Sequence, residues 1–596
     1  MEALLEEFCQ LDDKSVFKPL DAASLTGEQK KEALRAINLI KEKRCGRLKG
    51  RTCADGRAQR GLYTKEQTAS PTVSTDALMM TLMIDALEQR DVATADVAGA
   101  YLHADMDDFV IIKLTGDTVD IMCKANKKYE MFATVEHGKR VLYLQLMKAL
   151  YGCVRSALLW YELFTTTLQG IGFELNPYDL CVANKNIKGK QCTIVWYVDD
   201  TKISHVDSTV VTEVIAQIEE KFGKMTVTRG KEHTFLGMKI TLLQDKTVKI
   251  CMEDYVRESI KDFQEDVTKG ATTPANKNLF EIDPESPQLD KTKAERYHSV
   301  VAKLLYVAQR GRPDIILAVA FLCTRVSCST DEDWRKLKRL MLYLNRTVTD
   351  FVILGADSLT ALKTWVDAAY GVHHDMKSHT GGVISLGRGV IMCKSTKQKL
   401  NTKSSTEAEL VGASDYLPST IWAKYFLEAQ GHKIDENIFS QDNQSAMRLE
   451  LNGRKSCGQK SRHIDIRYFF AKDRIQQDNI TIQYCPTEQM LADFLTKPLQ
   501  GALFLKFKRV LMGHDHVSVL SLHTLAPTEE RVGKLVTRKE EVENPENSGK
   551  LITRKEEVKN EKNTVVARTA AKDTALFALI VDTFLCRIDS TIVICL

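Results

Sequence analysis

Cys192-Thr193-Ile194-Val195-Trp196-Tyr197-Val198-Asp199-Asp200-Thr201-Lys202-Ile203 sets two carboxylates side by side between runs rich in β-branched and aromatic residues. Such runs around a polar pair predict a strand, a tight turn carrying both charges, and a return strand. Two adjacent anions repel unless cations neutralise them, so the pair suits one half of a divalent-metal site. An ordinary Asp-Asp hairpin turn is the plainer alternative, because aspartate favours turns for local reasons.

A third carboxylate lies upstream in Asp96-Val97-Ala98-Gly99-Ala100-Tyr101-Leu102, followed after an acidic interruption by Phe109-Val110-Ile111-Ile112-Lys113-Leu114. This again has the pattern of a strand, a turn or short helix, and a strand. Tyr-Val-Asp-Asp with an upstream Asp-Val-x-x-Ala-Tyr-Leu resembles the palm of a reverse transcriptase, in the wording of copia-type long-terminal-repeat retrotransposons. Leu150-Tyr151-Gly152, Trp160-Tyr161, Gly172-Phe173 and Phe235-Leu236-Gly237-Met238 extend the resemblance.

The resemblance implies a multidomain chain of α+β and α/β parts. It divides into polymerase fingers and palm over 1–265, a thumb-like connection over 266–358, a ribonuclease H-like α/β domain over 359–505 and a disordered tail over 506–596. Asp96, Asp199 and Asp200 would then hold two Mg²⁺ ions, with Mn²⁺ as a substitute, through oxygen ligands suited to hard cations. The chemistry would be in-line phosphoryl transfer, in which the protein mainly positions the primer end and nucleotide. Tyr101 resembles the ring beneath the incoming sugar that leaves no room for a 2′-hydroxyl; its plainer role is strand packing.

Lys41, Lys43, Arg44, Arg47, Lys49, Arg51, Arg57 and Arg60 make a basic segment broken by Gly46, Gly50 and Gly56. Cations on permissive backbone suit a finger-like hairpin gripping phosphates, and a solvated charged face is the alternative. The resemblance makes Lys49, Arg51 and Gly152 nucleotide contacts. Where relatives continue Leu-Lys-Gln-Ala-Pro, this chain has Cys153-Val154-Arg155-Ser156-Ala157; Arg155 is expected to supply a cation to the nucleotide, and the departure puts catalytic rate in question more than fold.

Further acids follow: Asp367 in Trp365-Val366-Asp367-Ala368, Glu407 in Ser404-Ser405-Thr406-Glu407-Ala408-Glu409, Asp442 in Gln441-Asp442-Asn443, and Asp493 in Leu491-Ala492-Asp493-Phe494. Strand ends and helix starts can converge in a compact α/β domain, and the order and wording resemble a copia-type ribonuclease H. These four would bind two metals and activate a water to cut RNA opposite new DNA, with the 2′-hydroxyl and A-like shape marking the hybrid. Each has a local alternative: Ser404-x-x-Glu407 fits a capping box, and Asp442-Asn443 fits a turn. Asp465, in His463-Ile464-Asp465-Ile466-Arg467-Tyr468, rivals Asp493 or serves structurally.

With 596 residues and 44% apolar content the chain can bury several cores. Its net charge of +4, from 83 basic and 79 acidic residues, rules out arguing nucleic-acid binding from bulk charge, so local patches must carry it. Fifteen cysteines show no CxxC pair and suit reduced intracellular thiols. No secretory signal opens the chain and no apolar run is long enough to span a bilayer, so a soluble protein without membrane contact is expected.

Residues 28–43 are expected to form a helix that Gly46 ends. The stretch 273–287 is expected as a Pro- and charge-rich loop, and helical periodicity marks 297–345. Gly533-Lys534-Leu535-Val536-Thr537-Arg538-Lys539-Glu540-Glu541-Val542 recurs at 549–558, a charge-alternating duplication sixteen residues apart with the composition of disorder. The resulting expectation is an RNA-directed DNA polymerase with fused ribonuclease H, forming part of a longer polyprotein. Its partners would be an RNA template, a DNA or tRNA primer, dNTPs, the RNA-DNA hybrid, and the element's nucleocapsid and integrase. Its setting would be a cytoplasmic virus-like particle with delivery to the nucleus. Two alternatives stay open: a relic that binds nucleic acid without catalysis, and an intron-type reverse transcriptase.

Overall fold

A computed structural model describes residues 2–42, 46, 48–452 and 465–521. The expectations for Lys43, Arg44, Arg47, the Asp465 side chain and the duplicated tail lie outside the described residues. No described helix is long and apolar enough to cross a membrane, and the described cysteines form no disulfide.

Four sheets carry the chain. The first orders strands Phe17–Leu20, Lys139–Leu146, Ile111–Thr115, Leu34–Glu42 and Leu48–Ala54, with Thr134–Glu136 on the side. The expected helix over 28–43 is therefore corrected. Thr26 caps only a short helix, Gly27–Glu32, because Leu34 and Arg35 pair in parallel with Ile112 and Lys113, and Ala36 to Glu42 pair as strand with Leu48–Ala54 from Ala36↔Ala54 to Glu42↔Leu48. Tertiary pairing overrides the weak helix preference of this run. A Cβ at Gly50 would lie 2.3 Å from the Ala3 carbonyl oxygen, so only glycine lets helix Glu2–Asp13 rest on this hairpin.

The second sheet orders Thr226–Arg229, Asp91–Asp96, Asp200–His205, Lys190–Tyr197, Asp179–Ile187 and Glu174–Asn176. Helix Thr75–Leu87 is buried at every position from Ala77 to Ala86, as expected of a helix apolar all round. Its one buried acid, Asp85, is paired with Lys202 on the sheet, both fully sequestered.

The third sheet joins Glu232–Phe235, Met238–Leu242, Val248–Cys251, Phe351–Ala356 and Gly387–Arg388. Helices Glu253–Phe263, Lys291–Arg310, Ile316–Cys323 and Asp331–Arg346 accompany it, the last three falling in the expected helical region. In the fourth sheet, Met392–Lys397, His379–Ser385 and Ala361–Ala369 are antiparallel, and Glu436–Gln441 and Thr481–Tyr484 continue parallel. The long helix Ser405–Ala429 covers one face.

One apolar core gathers residues between Val73 and Leu520 and joins the last three sheets. The expected divisions at 265 and 358 thus cut through the third sheet, whose strands come from all three expected domains. The expected start of the tail at 506 is also too early. Helix Gly501–Leu511 crosses it, Ile353 N–H donates to the Met512 carbonyl, and Val517 and Leu520 are buried.

Candidate active sites

Asp200 is the Cα partner of Asp96 on neighbouring antiparallel strands, a pairing that holds Cα atoms about 4.5–5.5 Å apart. Asp199 sits in the turn between Tyr197 and Asp200, which close it as partners. Both charges were expected in the turn; the structure gives the turn to Val198 and Asp199 and starts the return strand at Asp200. Val198 has φ 58°, the left-handed first position that two-residue hairpins of the II′ kind normally give to glycine. A β-branched residue there costs about 1–3 kcal/mol. Trp160, on helix Ser156–Gly170, donates from Nε1 to the Val198 carbonyl at 2.7 Å, and Val97 N–H donates to the Asp199 carbonyl at 3.3 Å. Phe164 and Phe222, with ring centroids at 5.3 and 5.1 Å, hold the indole.

Desolvation, and then the charge of Asp96, raise the Asp199 pKa against the pull of nearby backbone N–H groups. Asp200 keeps an exposed edge, yet desolvation first, and Asp199 and Asp96 next, push its carboxyl up to about 6. These are anions held together without enough positive charge, which fits a divalent-cation site.

Tyr101 lies on the turn Ala100–His103, not in a strand, and its ring centroid is 4.6 Å from that of Tyr151. The Arg51 guanidinium lies 4.2 Å over the other aromatic, Tyr151, and its charge pulls the Asp199 pKa down. This stack links the first sheet to the acids. Lys49 is exposed and two residues from Arg51 on the same strand, hence on the same face. Gly152 has φ +90°, and a Cβ there would meet the Ala54 carbonyl oxygen at 2.1 Å. Its role is to let two chain segments touch. Arg155, expected as a free cation for the nucleotide, is instead paired with Asp107 at 2.7 Å and Asp108 at 3.1 Å. Tyr151 and Trp160 were visible within the quoted motifs, but nothing in their spacing assigned them these contacts.

The second cluster gathers Asp367, Glu409 and Asp442, each offering an oxygen within 4.8 Å of the others. They line an open cleft of about 620 Å³ together with Lys497. Asp367 lies two residues before the end of the buried strand Ala361–Ala369, opposite Gly381. A Cβ on Gly381 would lie 2.8 Å from Leu495 and Thr496 and 2.9 Å from the Ala492 carbonyl oxygen, so this glycine admits the 491–497 segment. That segment brings Thr496 Oγ1 to donate to Asp367 Oδ2, and Lys497 Nζ to 2.7 Å from Asp493 and 3.5 Å from Asp367. Asp493 is thus beside the cluster but tied to Lys497. Burial, then Asp367 and Asp442, raise the Glu409 pKa well above the usual range. Burial, then Asp367, raise Asp442 and push Asp493 up to about 7. The Glu409 Oε2 atom is buried without a hydrogen-bond partner, and an oxygen-only donor set with an orphaned lone pair fits a hard divalent cation.

Glu407, the expected site residue, is not in this cluster. Its Oε2 accepts from Lys403 N–H at 2.8 Å, and its own N–H donates to Ser404 Oγ at 3.2 Å, so it caps the helix. Residues two apart on a helix point to different faces, and only Glu409 turns inward. The signal was present: the capping pattern already accounted for Glu407, and Glu409 sits between the apolar Ala408 and Leu410.

Residues 28–277 match the family model "Reverse transcriptase (RNA-dependent DNA polymerase)". Over 527 residues the chain is 25% identical to the "Retrovirus-related Pol polyprotein from transposon TNT 1-94" of Nicotiana tabacum, covering 87% of this chain and 38% of that one. It is 23% identical to the "Transposon Ty1-LR2 Gag-Pol polyprotein" of Saccharomyces cerevisiae over 486 residues, 79% of this chain and 26% of that one. The chain therefore spans well under half the length of these relatives. A solved foamy viral protease-reverse transcriptase in complex with double-stranded DNA aligns with TM-score 0.45 and 13% identity, over 80% of this chain and 68% of that one.

Proposed function

We propose, because this chain belongs to the copia-type retrotransposon polyproteins and carries their reverse transcriptase region, that it extends a primer on an RNA template and cleaves the RNA of the resulting hybrid. The observation that carries the first activity is the register that sets Asp200 against Asp96 with Asp199 in the adjoining turn. The second rests on the Asp367, Glu409 and Asp442 cluster at the C-terminal ends of the central parallel strands Ala361–Ala369 and Glu436–Gln441 of the mixed fourth sheet.

In this assignment the first two sheets are fingers and palm, the helices of 253–346 with the third sheet up to Ala356 are the connection, and 359–521, which adds Gly387–Arg388 to that sheet, form the ribonuclease H-like part. Arg51 and Lys49 bind the triphosphate, Tyr151 orients Arg51 by stacking, and Tyr101 closes the floor against a 2′-hydroxyl. Asp96, Asp199 and Asp200 would hold Mg²⁺ or Mn²⁺, as would Asp367, Glu409 and Asp442 with Asp493 beside them. When bound, such a cation activates the attacking oxygen and neutralises charge on the leaving group. Trp160 fixes the turn so that Asp199 is already placed before substrate arrives. The RNA template, a DNA or tRNA primer, dNTPs, and the nucleocapsid and integrase of the same element, within a cytoplasmic particle, complete the proposal.

Primer extension on poly(rA)/oligo(dT) with Mg²⁺ tests the first activity: product must exceed that of an Asp199→Asn, Asp200→Asn control. Cleavage of the RNA strand in a hybrid, lost in Asp442→Asn, tests the second. The pairing of Arg155 with Asp107 and Asp108 favours the alternative of a relic that binds nucleic acid without catalysis. Extension no greater than the control would establish that alternative.

A further inference from the structure

Lys497 takes no part in the mechanism above, yet it stands inside the acid cluster. Its Nζ lies 2.7 Å from Asp493 Oδ1 and 3.5 Å from Asp367 Oδ1, so the ammonium sits between two carboxylates. Asp367, Glu409 and Asp442 offer oxygens within 4.8 Å of one another, and Glu409 Oε2 is buried without a partner. The five groups thus split into two halves. In one, Asp367 with Glu409 and Asp442, Lys497 reaches only Asp367, and no described cation forms an ion pair with Glu409 or Asp442. The other, Asp367 with Asp493, already has one, supplied by the chain.

We propose that Lys497 is a built-in counter-ion that occupies the place of a second divalent cation, so that the resting cluster takes up one such ion readily and a second only when Lys497 turns away. The inference rests on the ribonuclease-type reading of this cluster and deepens it. Three features support it. Asp493 lies outside the group of oxygens that can share one ion, while its own oxygen is committed to Lys497. The Lys497 side chain is 40% exposed, and a flexible four-carbon stem of that exposure can swing into the cleft it lines without leaving a cavity. Thr496, the preceding residue, donates to Asp367 Oδ2, so the backbone beneath Lys497 stays anchored when the side chain moves. A point charge on a rotatable stem can yield to a divalent ion. A guanidinium fork held bidentately would resist.

The test is Mn²⁺ binding without substrate. It uses the full chain carrying Asp199→Asn and Asp200→Asn, which removes the other acid pair, and follows free Mn²⁺ by electron paramagnetic resonance. Lys497→Met should bind a second Mn²⁺ at least about tenfold more tightly than the parent, with the first ion changed by less than about threefold; a tenfold step corresponds to about 1.4 kcal/mol. Lys497→Arg, which keeps the charge, should not gain the second ion, and this separates lost charge from altered packing. Equal second-ion affinity in the parent and Lys497→Met overturns the role of Lys497 alone. No Mn²⁺ uptake above an Asp367→Asn control overturns the cluster as a metal site, and this inference with it.

Discussion

Glu409→Gln and Glu407→Gln differ by two positions and should behave oppositely. At the 4.8 Å limit that encloses Asp367, Glu409 and Asp442, and at an effective dielectric constant of about 20, two ionised carboxylates repel by about 3.5 kcal/mol. Glu409 faces two such partners, offset by Lys497 and by uptake of a proton. Its raised pKa means the folded protein holds more protons than the unfolded chain between the unfolded carboxyl pKa, about 4.3, and the higher folded value. The carboxyl therefore destabilises the metal-free fold increasingly as pH climbs through that window, and not at all below it. In EDTA, Glu409→Gln should exceed the parent in urea stability by about 1–3 kcal/mol at pH 8, and the gap should close at pH 4. Mg²⁺ should stabilise the parent and not this variant, and hybrid cleavage should vanish. Glu407→Gln keeps the capping geometry, so its stability should stay within about 0.5 kcal/mol and its cleavage should match the parent. Cleavage lost in Glu407→Gln and retained in Glu409→Gln would refute the placement of the cluster.

Trp160→Phe removes the hydrogen bond to the Val198 carbonyl, worth about 1–3 kcal/mol when buried, and leaves a strained valine unsupported. Primer extension should fall at least about tenfold with circular dichroism unchanged, and adding Val198→Gly, which accepts the positive φ, should restore part of it; wild-type rates in Trp160→Phe would reject this support role. Asp85→Asn strands a fully buried Lys202 and should cost about 3–5 kcal/mol in urea unfolding, whereas Asp85→Leu with Lys202→Met should lie much nearer the parent. For Asp200, raised to about 6, the metal-free protein should lose stability from this group as pH rises from about 4 through 6. Asp200→Asn should then be the more stable protein at pH 8 and equal to the parent at pH 4, as read by paired denaturant melts.

The first group of acids was legible because its members lie in local patterns: Tyr197 to Asp200 announces a hairpin, and Asp96 ends a run of small, buried residues. What the sequence hid was contact made at a distance. Nothing near Trp160 points to Val198, and Arg155 looked free because Asp107 and Asp108 are remote from it in the chain. Glu407 and Glu409 differ only in helix face, which one-dimensional spacing resolves only when the capping role of the first is counted against it. The helix expected over 28–43 failed because pairing partners, not the segment's own preference, decided its state. The proposed domain borders failed for a related reason, since Phe351–Ala356 pairs with strands from both sides of them.

That shared third sheet bears on any truncated form of the chain. A stop codon falling between residues 252 and 350 would remove the neighbour of Val248–Cys251 and lay bare an apolar face continuous with the core behind Asp96 and Asp200. A chain cut there should therefore be less stable than the full one, as urea unfolding of the two would show. The elements carrying the two acid clusters share a single buried core.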